Sequence, residues 1–181
     1  VDALQRLAAA GVRVPQLHCY IGGVLLMELI ADEDGNAAPR LNDMELTPAL
    51  AREYHRTLLN QIVLMLCAGL VHGDLSEYNV LVGSDGPVII DLPQAVDAAG
   101  NNNASRMLER DVDNMAAYFG RFAPELLTSQ FGKEIWKLYA SGALHPGAEL
   151  TGRFEQSGKK ADVGGVMREI DAARRWHEMH L

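Results

Sequence analysis

Three polar side chains, Asp74, Asn79 and Asp91, stand out by type and spacing. Asp74 and Asn79 are five residues apart in a short polar stretch, Val71-His72-Gly73-Asp74-Leu75-Ser76-Glu77-Tyr78-Asn79. Two short apolar runs follow, Val80-Leu81-Val82 and Val88-Ile89-Ile90, separated by Ser84-Asp85-Gly86. That pattern predicts a β-hairpin, and Asp91 comes directly after its second strand. A hairpin returns its end beside its beginning, so Asn79 and Asp91 are expected to be neighbours. A carboxylate and an amide carbonyl are hard oxygen donors, and together they suit Mg²⁺. That ion takes few protein ligands and completes its shell with water and phosphate oxygens. Asp74, close by, could orient a hydroxyl or accept its proton. The set suits metal-assisted phosphoryl transfer, in which the protein mainly positions groups and neutralises charge.

The elements needed to position these groups can be read on either side. Residues 2–10 carry Leu4 and Leu7 among alanines, a helix stopped at Gly11. Residues 12–21 read as a loop leading into a strand, Gly22-Gly23 as a hairpin turn, and Val24-Leu25-Leu26-Met27 as a strand running out at Glu28-Leu29-Ile30. Residues 31–43 are rich in Asp, Gly, Asn and Pro and read as a loop. A long helix is then predicted, with Thr47 as N-cap, Pro48 at its first position and Gly69 just past its end. Its apolar stripe is Leu50, Tyr54, Leu58, Ile62, Met65 and Leu66. After the polar stretch and its hairpin, residues 98–103 form a Gly/Asn loop. Helical patterns cover 105–122, 129–141 and 163–180, with a loop over 143–160 between the last two. No repeat or low-complexity tract interrupts this order.

Composition bounds the reading. The 181 residues are 48% hydrophobic and 22% charged, ordinary for a globular domain. Sixteen Lys+Arg against twenty-four Asp+Glu give a formal charge of −8, which argues against a general nucleic-acid binder. Cys19 and Cys67 are too few for a disulfide framework or a four-thiolate zinc site. Cys67 lies in an apolar run and is expected to be a buried, reduced thiol. These features point to a cytoplasmic protein without a membrane span.

The His-x-Asp-x-x-x-x-Asn spacing, followed by an apolar hairpin that ends in Asp, resembles the protein-kinase catalytic loop and metal-binding aspartate. More specifically, Asp-Leu-Ser-Glu-Tyr-Asn at 74–79 and Ile-Asp-Leu-Pro-Gln-Ala-Val at 90–96 resemble the RIO family of atypical protein kinases. Residues 24–29 with Ala38-Pro39-Arg40-Leu41 are similar to that family's hinge strand and the segment after it. Leu108-Glu109-Arg110-Asp111-Val112 is similar to its first helix beyond the metal aspartate.

The resemblance implies an α+β, protein-kinase-like fold. Residues 1–30 would be a remnant of the N-terminal lobe plus the hinge, and 31–181 the helical C-terminal lobe. It implies ATP and Mg²⁺ (or Mn²⁺) as cofactors, and a serine protein kinase or an ATPase switch as the activity. The phosphate acceptor would be a protein or the chain itself, and a ribosome-related partner is implied as well. Asp74 would be the catalytic base and Asn79 and Asp91 the metal ligands. Ser76 would hydrogen-bond the γ-phosphate, and His72 would brace the loop. Glu28 and Ile30 would offer a backbone carbonyl and N–H to adenine, with Met27, Leu81 and Ile90 sandwiching the base. Plain core packing is the competing reading for those last three.

The departures are specific. Leu92-Pro93 stands where ordinary kinases carry Phe-Gly, and Gly73 replaces an Arg. The chain begins at Val1 and contains no Gly-rich phosphate loop, strand Lys or upstream helix Glu, parts that lie earlier in the family. Weak or no Mg²⁺-ATP binding by this chain alone is therefore expected. Two other readings stay open: a small-molecule kinase of the aminoglycoside or choline phosphotransferase type, and a non-catalytic nucleotide-binding module. Ser76-Glu77-Tyr78 and Pro93-Gln94 count against the first.

Several features are read as structural. Asp111 and Asp113 are expected to begin a helix, where the dipole favours negative charge, with Arg110 a partner. Trp136 and Trp176 are assigned to apolar helix faces. Asp32-Glu33-Asp34 is read as a loop acid run with no ligand partner in view, while Lys159-Lys160 and Arg174-Arg175 are assigned to solvated faces and His177-Glu178-Met179-His180 to a fraying, solvated end.

Overall fold

The computed structural model describes residues 1–155. The predicted helix over 163–180, the basic pairs at 159–160 and 174–175, Trp176 and the terminal histidines lie outside the described residues.

The chain opens with α1 (Asp2–Ala9), which buries Leu4 and Leu7. An antiparallel hairpin follows, β1 (Leu17–Ile21) with β2 (Val24–Met27), turning at Gly22-Gly23. A 3₁₀ turn at Leu41–Asp43 precedes α2 (Pro48–Cys67). Thr47 caps α2 as expected: its Oγ1 accepts the Leu50 N–H at 3.2 Å. Gly69 adopts φ 80°, the left-handed conformation that ends a helix cheaply only at glycine.

The predicted second hairpin is β4 (Val80–Gly83) with β5 (Gly86–Ile89), paired Val80 to Ile89 and Leu81 to Val88. A third strand pair is additional to the sequence reading: β3 (Leu70–Val71) with β6 (Val96–Asp97). Two-residue strands carry no readable alternation. Beyond them come α3 (Ala104–Phe119), a 3₁₀ turn at Pro124–Thr128, and α4 (Phe131–Ala140). Helices with small, separate antiparallel strand pairs make this an α+β architecture.

One core serves these elements. Leu4, Leu7, Val12 and Val14 pack in the same cluster as Leu58, Ile62 and Leu66 of α2, Leu108, Met115 and Phe119 of α3, and Ile135 of α4. Trp136 packs against its edge, as expected for an apolar helix face. Burying such side chains is the dominant favourable contribution to folding.

Three expectations need correction. Cys67 is exposed rather than buried, because it is the last residue of α2, where the chain turns away towards Gly69. The buried face of α2 includes Ala51, His55, Leu59 and Val63, while Leu50 and Tyr54 are only half-buried. Asp111 and Asp113 lie in the middle of α3 rather than at its start. The charge of Asp111 therefore answers something other than the helix N-terminus.

No described helix is long and apolar enough to cross a membrane.

Candidate active site

The polar stretch at 71–79 connects β3 to β4, and its first half is buried. Val71, His72 and Leu75 are each 2% exposed or less. Buried backbone here must find partners, and α3 supplies them. Asp111, 1% exposed, accepts the Gly73 N–H at 2.7 Å and the Leu75 N–H at 3.0 Å. Asn114 Nδ2 donates to the Leu75 carbonyl at 3.0 Å, and Arg110 Nη2 donates to the Gly73 carbonyl. Burial raises the Asp111 carboxyl above its ordinary range, against the lowering effect of the two backbone donors, His72 and Arg110. Asp111 is thus the anchor of the loop that carries Asp74. Its two contacts lie 36 and 38 residues back along the chain, beyond the reach of local pattern.

Gly73 shows why an Arg cannot stand here. Its φ is 84°, and a Cβ would meet Met107 Cε at 2.6 Å and the Gln94 carbonyl oxygen at 2.8 Å.

His72 braces the loop in the expected sense. Its Nδ1 accepts the Asp74 N–H at 3.3 Å, so its Nε2 carries the proton and donates to the Ile90 carbonyl at 2.9 Å. The Ile90 N–H in turn donates to the Asn79 carbonyl at 3.0 Å. Ile90 is therefore fixed on both sides of its peptide, and Asp91 follows it directly. Asp91 is the one non-glycine residue with positive φ among the described residues, at 64°. Such a backbone is held by its surroundings and commonly marks a functional position.

Asn79 Nδ2 donates to the Asp74 carbonyl at 2.8 Å, and the Asn79 N–H donates to the Ser76 carbonyl at 3.0 Å. With its amide nitrogen committed, Asn79 has its Oδ1 left to face a cation. Asn79 and Asp91 line a single cleft of about 450 Å³, together with Met27, Glu28, Ile30, Leu81 and Ile90. Seven of the nine residues expected at the site are thus brought together. Asp74, which is exposed, and Ser76, which is half-buried, lie on the adjoining loop rather than in that lining. One carboxylate and one uncommitted amide oxygen, on two residues that line the same cleft, make a donor set that fits a small hard cation.

The backbone at Glu28 and Ile30 is only partly engaged. The Glu28 N–H is taken by the Gln16 carbonyl at 2.8 Å, and the Ile30 carbonyl by the Ala38 N–H at 2.9 Å. Among the described residues, the Glu28 carbonyl and Ile30 N–H enter no backbone hydrogen bond. Met27 is 39% exposed, and Leu81 and Ile90 are half-buried. All three stay outside the core cluster that takes Val80, Val82 and Ile89. Alternation along β4 turns Leu81 to the cleft and its neighbours to the core.

The Glu28 side chain has a task the sequence did not reveal. It pairs with Arg13 at 2.8 Å, and this bond and the Gln16 N–H hold its carboxyl below the usual carboxylate range.

Comparison with known proteins gives the family. The RIO domain matches residues 1–131. The RIO-type serine/threonine-protein kinase Rio1 of Haloferax volcanii is 40% identical over 122 residues, 65% of this chain and 39% of the relative. Serine/threonine-protein kinase rio1 of Schizosaccharomyces pombe is 35% identical over 119 residues, 65% of this chain and 24% of the relative. Serine/threonine-protein kinase RIO1 of Homo sapiens is 32% identical over 126 residues, 69% of this chain and 22% of the relative. The chain therefore spans no more than about two fifths of the length of these three relatives. The matched region contains α1, both hairpins, the anchored loop and α3, and the chain belongs to the RIO domain family.

Proposed function

We propose that this chain forms the adenine- and metal-binding side of an ATP- and Mg²⁺-dependent phosphotransferase of the RIO type. The acceptor is a serine of a protein or of the chain itself, or else water in an ATPase-type switch. The observation that supports this reading is the shared cleft, lined by Asn79 and Asp91, two residues with oxygen donors, and by Glu28 and Ile30, whose carbonyl and N–H respectively enter no backbone hydrogen bond among the described residues.

Each residue then has a stated task. Met27, Leu81 and Ile90 offer apolar surface to the base, and the Glu28 carbonyl and Ile30 N–H offer it an acceptor and a donor. Asn79 and Asp91 would hold Mg²⁺ or Mn²⁺, which when bound neutralises phosphate charge. Asp74 orients the attacking hydroxyl and takes its proton at a carboxylate oxygen. Ser76 donates to a phosphate oxygen. In this reading residues 1–30 are the lower edge of an N-terminal lobe and its hinge, and the protein works in the cytoplasm.

The test is ATP turnover by the protein that carries this chain, compared with its Asp74→Ala and Asp91→Asn variants. Loss of at least about a hundredfold in each is expected. Unchanged turnover in both would sink the proposal.

A further inference from the structure

Three elements around the cleft meet at Arg13: α2, β5 and the end of the first hairpin. Its backbone N–H donates to Gln61 Oε1 of α2 at 2.5 Å. Its carbonyl accepts the N–H of Ile89, two residues before Asp91, at 3.1 Å. Its guanidinium closes on the Glu28 carboxylate through two bonds, Nη1 to Oε2 at 3.0 Å and Nη2 to Oε1 at 2.8 Å. Nη1 also donates to the Val14 carbonyl at 3.0 Å, and Glu28 Oε2 takes a further N–H from Gln16 at 3.0 Å.

The backbone of Arg13 is thus tied to the strand that presents Asp91, and its side chain to the residue whose carbonyl faces the base. A forked guanidinium–carboxylate pair fixes both separation and plane, which a lysine ammonium cannot do. The pair is about one third exposed on each side, so its value lies in geometry more than in stability.

We infer that Arg13 is a positioning residue that sets the base-binding edge of the cleft, at Glu28, in register with its metal-binding edge, at Asp91. This rests on the nucleotide-site reading given under Proposed function. It makes a distinction that reading alone does not. A ligand spanning both edges senses their register, because misplacement by an ångström spoils one set of contacts while the other is made. A ligand touching one edge does not sense it.

The experiment titrates the protein that carries this chain by NMR with Mg²⁺-ATP, with adenosine, and with Mg²⁺-pyrophosphate. Substitution leaves the backbone bonds of Arg13 in place. Arg13→Lys therefore removes the fork and the side-chain bond to the Val14 carbonyl while keeping the positive charge, and it serves as the informative variant should Arg13→Ala fold poorly. Expected for Mg²⁺-ATP is weakening of about tenfold in Arg13→Ala and about threefold in Arg13→Lys, with adenosine and pyrophosphate each changed less than about twofold. Glu28→Gln is expected to match Arg13→Ala, and the double variant to be no weaker than either, because both remove one interaction. Parallel weakening of all three ligands, or an unchanged Mg²⁺-ATP affinity, overturns the positioning role and leaves the nucleotide site standing. A wild-type protein that carries this chain and shows no saturable Mg²⁺-ATP binding overturns both.

Discussion

The loop at 71–75 and the β1–β2 hairpin flank the same catalytic question and are held by opposite means. The loop is buried, and it is pinned by Asp111, Asn114 and Arg110 from α3 and by His72 against Ile90. The hairpin is largely exposed: Ile21 and Leu29, just past it, are each 72% exposed, and Val24 is 69% exposed. Its links to the body are Leu17, packed against the edge of the core, the Arg13–Glu28 pair, about one third exposed, and the Gln16–Glu28 backbone bond. The residue assigned to proton handling thus stands on rigid, buried polar support. Of the residues assigned to the base, Leu81 lies in the β4–β5 hairpin and Ile90 directly after it, whereas Met27 and Glu28 stand at the end of the exposed β1–β2 ribbon, steadied by the Arg13–Glu28 pair. Placement in the body should be insensitive to conditions that loosen the hairpin.

The largest expected break of this contrast is Asp111→Asn. An amide can accept one of the two N–H groups, from Gly73 or Leu75, but presents a donor to the other, leaving it buried and unpaired. The expected loss is about 3 kcal/mol of stability, read by urea denaturation, together with loss of turnover. A loss under about 1 kcal/mol would mean that the loop is held elsewhere.

His55 sharpens the same contrast through pH. It is 3% exposed on α2 and packs edge-on against Phe119 and at a tilt against Phe131, each ring 5.6 Å away. Its Nε2 has no hydrogen-bond partner among the described residues. Burial lowers its pKa to about 4. The unfolded imidazole, near 6.5, takes up a proton first as pH falls. Stability from this group is therefore complete above about pH 6.5 and drains away towards about pH 4, with a limit on the order of 3 kcal/mol. His55→Phe is expected to flatten that slope in denaturation curves taken across this range. An unaltered slope would remove His55 from the account.

The smallest effect belongs to the hairpin. Ile21→Thr, on a 72% exposed side chain, is expected to change stability by less than about 0.5 kcal/mol in the same assay. A cost above about 1.5 kcal/mol would show that the hairpin is packed in solution, and the contrast would fail.

Much of this arrangement was legible from local pattern. Thr47, Pro48 and Gly69 bound the long helix because capping chemistry is short-range. The juxtaposition of Asn79 and Asp91 followed from hairpin geometry alone. What stayed illegible is long-range. Asp111 looked like a helix-start charge because its partners are 36 and 38 residues away. The Arg13–Glu28 pair joins a loop to a strand end with no periodic signal. Cys67 was misread because an apolar run does not say which residue is the last of its helix. For Met27, Leu81 and Ile90 the sequence left packing and ligand contact equally open. Their position outside the core and along the cleft favours contact.

The central claim is that Asn79 and Asp91 form one cation site in the cleft that receives the nucleotide. The direct measurement adds Mn²⁺ in small steps to the isotope-labelled chain in the presence of ATP and follows paramagnetic broadening of each amide signal. The account predicts that Asn79, Val80, Ile90 and Asp91 broaden first and together, and that Asp91→Asn abolishes this. Broadening centred on the acidic run at 32–34 or on Glu109 and Asp113, with those four signals intact, would contradict it.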